Sequence, residues 1–482
     1  MAQDFAKKRQ DCIDQGILYE DPEFTTEKSN IFYHQIPTGV DFVWKRPKEL
    51  VADAQFVIDD PRKFDIIPGK HGYPWLVSAL SVLYQYRGLF YRAVPADQGF
   101  SSEFKYAGIF HFRFWWSGEW TEVIVDDRLP TVGGQLVFAQ SQSSNQFWAA
   151  LLEKAYAKLH GSYEALGYGS RADVFSELSG GVTEGIPFEI PEAKLDVLLP
   201  IRQALQTTVI PTCVAEFDQP QTPLGIVTGR NYTIVGVDEI EYNGKPQVLI
   251  KLHLSPGMKP YGGPWANPLT PEWQSINPHD QNRVNLEQES EKGNFWMTVK
   301  ELESAFSRFE FVYLDSDVSQ SEQKFRHLGI KPPHSRIHQG SWKRGATAGG
   351  CRNHPETFHI NPQLLLGIQE HSDVLLALTQ HRNQEPLVVG FSVYRAPPSH
   401  PPNRLLPASF FKSTKALGHS TYSNGRQVVK RMTLEVGLYA VIPTTYEVAE
   451  EGSFTLRVYS QSPLTLGLLD NLPANVKNPV IE

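Results

Sequence analysis

Residues 66–80 read I-I-P-G-K-H-G-Y-P-W-L-V-S-A-L, and their reading places the centre of the fold. A glycine-rich turn breaks at Pro74, and an apolar run then opens with Trp75. Trp75, Leu76, Ala79, Leu80, Leu83 and Tyr84 recur at helical spacing, which predicts a helix from residue 74 with that face buried. A helix start of this kind aims free N–H groups and the positive end of a dipole at whatever lies before it, a setting that activates a nucleophile. Proline can attack nothing. As a first helical residue it is structurally well suited, because its fixed φ fits and the N–H it lacks would have been unpaired.

Outward from this helix, residues 106–131 alternate apolar positions on both sides of Ser117-Gly118, the pattern of a β-hairpin. Residues 146–160, Q-F-W-A-A-L-L-E-K-A-Y-A-K-L-H, predict a second strong helix closed by Gly161. Two prolines within 185–193 mark a boundary between lobes. Strand-like runs follow: V-I-P-T-C-V-A-E-F, N-Y-T-I-V-G-V and Q-V-L-I-K-L-H-L. Residues 315–336 are Ser- and Gln-rich and read as a linker. Beyond them about eight short strand candidates between turns predict a β-sandwich. The fold class is therefore α+β: a mainly helical lobe, a mainly β lobe, then an antiparallel sandwich.

Composition narrows the function. The chain has 482 residues, 41% hydrophobic and 20% charged, enough for two or three globular domains. A net charge of −8, from 45 basic and 53 acidic residues, argues against nucleic acid as a partner. The start M-A-Q-D-F-A-K-K-R-Q-D has no apolar core, so no secretory signal is expected. No run approaches the length that spans a bilayer. The three cysteines, Cys12, Cys213 and Cys351, have no paired spacing, which fits a reducing, cytoplasmic setting.

Several stretches, in order, resemble the calpain family: Y-A-G-I-F-H-F (106–112), G-E-W-T-E-V-I-V-D-D-R-L-P-T (118–131), F-W-A-A-L-L-E-K-A-Y-A-K-L-H-G-S-Y-E-A-L (147–166), S-G-G-V-T-E (179–184), N-F-W-M (294–297) and G-S-W-K-R-G-A-T-A-G-G-C-R-N-H-P-E-T-F (340–358). The resemblance implies a papain-like core of two lobes with a cleft between them, followed by the calpain-type β-sandwich. It divides the chain into an N-terminal arm (1–30), a helical lobe (31–190), a β lobe (191–316), a linker (317–336), the sandwich (337–462) and a tail (463–482). Active members are calcium-dependent cysteine endopeptidases. A thiolate at a helix N-terminus attacks, a histidine serves as base and acid, and an asparagine orients its ring. An upstream glutamine and the nucleophile's own N–H form the oxyanion hole.

Carried over by motif, none of these groups is present. Q-G-x-x-G-D-C-W becomes P-G-K-H-G-Y-P-W, so Pro68 stands for the glutamine, Tyr73 for the aspartate and Pro74 for the cysteine. G-H-A-Y becomes G-R-N-Y, which puts Arg230 at the base position. R-N-P-W-G becomes H-L-S-P-G, with Leu254 at the asparagine and Pro256 at the tryptophan. Hydrolases stripped of a triad retain roughly 10³–10⁴-fold catalysis over water through the oxyanion hole and binding. Here both oxyanion donors go as well, since Pro74 has no N–H, and Arg230 stays protonated at neutral pH.

The resemblance also places core calcium sites, and these are eroded. Asp65 matches one acidic ligand, but its partner position holds Gln146. The second site's acidic positions become Pro260, Asn267, Lys292 and Asn294. Calcium needs several anionic oxygens in one cage, so the cofactor expectation rests on Asp65 alone. The acidic loop common in family sandwiches is short, with Glu370 and Asp373. No EF-hand pattern occurs, so a partner docking through such a module is not expected. The implied reading is a pseudoprotease with unidentified protein partners. Calcium-dependent proteolysis and binding to a membrane surface through the sandwich are the alternatives.

Other polar groups in the chain are candidates for a replacement chemistry. His71 and His253 read as exposed loop histidines. Ser78 reads as buried one turn into the helix, and Cys213 as an inert buried thiol. Cys351 and His354 form a C-x-x-H pair, too few ligands for zinc, so packing is expected. Asn231-Tyr232-Thr233 is a glycosylation sequon set within an expected strand. The aromatic cluster Phe110, Phe112, Phe114, Trp115, Trp116 and Trp120 reads as hairpin core.

Overall fold

A computed structural model describes residues 2–34, 39–58, 66–188, 198–216, 218–254, 261–266, 268–291, 293–317, 322–381, 386–397 and 404–469. The chain divides into two compact units, Met1–Phe114 with Trp120–Lys331, and Trp115–Glu119 with Pro332–Glu482.

The first unit begins with helix α1 (Ala2–Gln15). Residues 1–30 are expected only as an N-terminal arm, and the structure adds that they open with a helix. Phe5 and Cys12, one heptad apart, are 2% and 7% exposed and pack with Tyr19, Ala107, Ile109 and Ile124. The Phe5 ring stacks on His111 at 3.8 Å. His111 itself lies between Glu122 (2.7 Å) and Asp97 (2.8 Å). Two apolar anchors in fourteen residues give too thin a stripe to stand out among polar neighbours.

Helix α2 (Pro74–Tyr84) is the core of the helical lobe, with every residue from Leu76 to Tyr84 buried. The burial extends all round the helix, beyond the one face that periodicity predicts. The hairpin of β1 (Ile109–Trp116) and β2 (Glu119–Asp126) turns through Ser117 (φ 53°) and Gly118 (φ 88°). Two consecutive positive φ values match the strand twist of a two-residue hairpin. Phe110, Phe112 and Phe114 are fully buried. Helix α3 (Trp148–His160) ends at Gly161, whose φ of 106° stops it, and α4 (Arg171–Ser179) starts at a Ser170–Asp173 capping box.

Among the described residues the β lobe is built on a six-stranded sheet. Its strands are β3 (Val182–Pro187), β4 (Val209–Val214), β5 (Asn231–Tyr242), β6 (Lys245–His253), β7 (Asn294–Thr298) and β8 (Arg308–Tyr313), in the order β7-β6-β5-β4-β8-β3. The sheet therefore starts at Val182, ahead of the prolines at which the sequence divides the lobes, because β3 pairs along the whole of β8. The two lobes have separate cores, although Ile210 and Val312 of the β lobe join the first. The polar segment read as linker contains the helix Gln323–His327, whose Phe325 is 6% exposed and packs into the first core. Glu322 accepts the Gly88 N–H at 2.7 Å. One aromatic residue and one carboxylate dock a stretch that composition alone marks as loose.

In the second unit, nine strands among the described residues make two sheets: β9 (His334–Trp342), β10 (Leu364–Ile368), β11 (Ser372–Gln380), β12 (Val389–Arg395), β13 (Gly418–His419), β14 (Gln427–Leu434), β15 (Gly437–Thr445), β16 (Gly452–Ser460) and β17 (Leu464–Leu468). The sheet orders are β9-β16-β11-β14 and β13-β12-β15-β10-β17, all antiparallel. Alternate residues such as Leu364, Leu366, Val374, Leu376, Phe391 and Leu456 meet in one core, which makes the unit a β-sandwich. The whole chain is α+β.

Candidate functional site

Position 74 lies where the motif places it, on the first residue of α2. The turn before it is tightly built. A Cβ on Gly72 would sit 1.5 Å from the Pro68 carbonyl oxygen, and one on Gly69 would meet the Phe138 carbonyl at 2.2 Å with φ at +66°. The chain then enters the helix through Tyr73 in an extended conformation, and Pro74 itself is exposed. The Tyr73 hydroxyl donates to the Tyr163 carbonyl at 2.9 Å, and burial pushes the phenol up to about 12. The aspartate position therefore holds a packed neutral phenol.

Arg230 precedes the first residue of β5 and is partly buried. Burial pulls its guanidinium below the ordinary value, yet at neutral pH arginine remains a cation that accepts no proton. Leu254 follows the last residue of β6; its N–H is held by the Gly293 carbonyl at 2.8 Å and its side chain packs on the β-lobe core. Pro68 is half-buried in the turn. Thus the four positions hold two rings without an N–H, a fixed cation and an alkyl group. This set can neither form a thiolate nor move a proton. Pro256 lies outside the described residues.

Gln146 is 5% exposed and uses its amide to join two segments: Oε1 accepts the Ile58 N–H at 2.7 Å and Nε2 donates to Ser141 Oγ at 3.3 Å. Asp65, Pro260, Asn267 and Lys292 lie outside the described residues. Asn294 Nδ2 donates to Glu289 at 2.8 Å, while its Oδ1 lies 2.8 Å from His253 Nδ1. Among the described residues no three His, Cys, Asp or Glu side chains converge as a metal site.

The remaining candidates are placed as follows. His71 is half-buried among Phe32, Phe42 and Phe138, with ring centroids 6.1–6.4 Å away, and burial lowers its pKa. His253 ends β6, paired with Asn294, and burial lowers its pKa too. The exposed-loop reading of both is therefore corrected, since each ring is packed by neighbours distant in sequence. Cys12, Cys213 and Cys351 are all free and buried. Burial pushes the Cys213 thiol well up, opposite to the shift a nucleophile needs. His354 pairs with Glu447 at 3.3 Å.

What motif reading missed lies one turn deeper. Ser78 is fully buried, as expected, but it is not merely packed. Its Oγ donates to Asn231 Oδ1 and accepts the Asn231 N–H, each at 2.7 Å. Asn231 Nδ2 in turn donates to Glu310 Oε2 (2.8 Å) and Thr212 Oγ1 (3.0 Å). With Asn231 1% exposed, its sequon is closed to any glycosylating enzyme. The available signal was a polar residue directly after the base position, where the family motif has alanine.

Comparison with known proteins identifies the family. The family described as Calpain family cysteine protease matches residues 19–313, and Calpain large subunit, domain III, matches residues 338–459. The chain is 40% identical to Calpain-C of Drosophila melanogaster over 98% of its own length and 71% of that protein's. It is 37% identical to Calpain-9 of Rattus norvegicus, covering 97% of this chain and 68% of the relative. It is 34% identical to Calpain-2 catalytic subunit of Mus musculus, covering 98% and 70%. Among the described residues no helix is long and apolar enough to cross a membrane. With a protease-core match, a domain III match and this identity along nearly its whole length, the chain belongs to the calpain family.

Proposed function

We propose that this calpain is a pseudoprotease: a catalytically empty core that acts by binding other proteins, as a regulatory or sequestering factor in the cytoplasm. The observation that carries the reading is an exposed proline on the first residue of α2, where the family mechanism needs a thiolate and its N–H. Arg230 and Leu254 support it, because neither can replace a histidine base or an orienting amide. Each cysteine among the described residues is buried, which leaves no substitute thiol at a surface.

Purified full-length protein should show no calcium-stimulated cleavage of casein or of a fluorogenic peptide, and no labelling by a thiol-directed peptide epoxide. Calcium-stimulated cleavage that is lost on mutation in the cleft would overturn the reading in favour of an active endopeptidase.

A further inference from the structure

The pair Ser78–Asn231 joins the two lobes between fully buried side chains. Ser78 belongs to α2, in the core of the helical lobe, and Asn231 is the first residue of β5. The two-point contact uses the serine hydroxyl as donor and acceptor at once. The asparagine amide is then fully committed, with Oδ1 on Ser78 and both Nδ2 hydrogens on Thr212 and Glu310. Thr212 Oγ1 closes the loop by donating to the Glu310 carbonyl at 3.1 Å.

The network continues to charged groups that also cross between the lobes. Glu310 Oε1 accepts from Arg308 at 2.7 Å, and Arg308 reaches Glu216 at 2.6 Å. From the helical lobe, Arg171 of α4 pairs with Glu216, lies 3.6 Å from Glu310 and donates to the Gly229 carbonyl at 3.3 Å. Two arginines therefore balance two glutamates in charge. Ser78, Asn231, Thr212 and Glu310 are each at most 2% exposed. The side-chain polar atoms of these four residues are all paired, and this buried part of the network fixes one arrangement, because sliding either lobe would strand several polar groups away from water.

We infer that Ser78 and Asn231 form a built-in staple that holds the two lobes in one fixed arrangement through the chain's own side chains, independently of any bound cation. The staple ties the helix that carries position 74 to the strand that follows position 230, so it sets the width of the cleft. It does not depend on whether the protein cleaves peptides.

The test is hydrogen exchange of the full-length protein, measured in chelator and in millimolar calcium, with the amides of β15 in the sandwich as internal reference. In the wild type the Asn231 amide and the α2 amides should be strongly protected in chelator, and calcium should change their exchange by less than about twofold. Ser78→Ala should accelerate the Asn231 amide by about tenfold or more while leaving β15 unchanged. A large calcium-dependent gain of protection in the wild type would overturn the staple, and this measurement needs no variant to fold. An S78A effect equal at Asn231 and in β15, or no effect at all, would overturn it too. Peptidase activity, by contrast, bears only on the pseudoprotease reading.

Discussion

Pro74 and Ser78 sit one turn apart on the same helix, yet they follow opposite rules. The outer turn, with Arg230 and Leu254 as its partners in the family motif, holds none of the groups that cysteine-protease chemistry needs. The inner turn carries a hydrogen-bond network in which Ser78, Asn231, Thr212 and Glu310 are all paired. The difference is exposure. Pro74 faces solvent, and a proline at a first helical turn meets no packing demand that a cysteine met better. At a fully buried position a polar group is kept with its partner or replaced together with it, because half a pair costs more than none.

That contrast can be broken most forcefully at Asn231. Asn231→Leu should cost roughly 3–5 kcal/mol, since it leaves the Ser78 hydroxyl hydrogen without its acceptor and Glu310 Oε2 without its donor in the interior. The check is the midpoint of urea unfolding followed by a probe in the first unit. A shift as small as that of an exposed substitution would show that the inner turn is no more constrained than the outer one.

A pH experiment sharpens the same point at Glu153 of α3. This carboxyl is fully buried, accepts the Ala139 N–H at 2.6 Å, and is pushed by burial up to about 8. The folded protein thus holds a proton that the unfolded chain releases near 4.5. Stability from this group should be fully present below that value, decline as the pH rises, and level off above about 8. Glu153→Gln should flatten this decline in thermal midpoints recorded across the pH range.

Smaller effects are expected where charge or ring meets water. In the sandwich unit Lys412 pairs with both oxygens of Glu356 at 2.7 Å, but the side chains are 44% and 79% exposed. Lys412→Ala should change stability by at most about 1 kcal/mol, less in high salt. Pro74→Ala should be smaller still, within about 0.5 kcal/mol by thermal unfolding, because both residues suit an exposed first turn. Restoring Cys, His and Asn at positions 74, 230 and 254, with Gln at 68, should recover little peptidase activity in a fluorogenic assay. Tyr73, hydrogen-bonded to Tyr163, and Leu254, packed on the β-lobe core, are both built into the present packing.

Much of this was legible in residues. The apolar spacing of α2 and α3, the Ser117-Gly118 turn and the alternation of the sandwich strands all follow from local pattern, and the motif departures at 68, 74, 230 and 254 can be read from the residues alone. The docking of α1 was not legible, because Phe5 finds its partner at His111, over a hundred residues away. Nor was Phe325 within a polar segment, or the burial of His71 and His253. Single residues anchored across long separations leave no periodic trace.

The sequence by itself determined which groups stand at the motif positions, since Pro68, Pro74, Arg230 and Leu254 carry no thiol, imidazole or carboxamide in any conformation. Only the tertiary structure decided what the neighbouring polar residues do. Ser78 and Asn231 lie 153 residues apart and each is unremarkable alone. Hydrogen bonds depend on distance and direction in space, and those are fixed only when the two lobes are packed together.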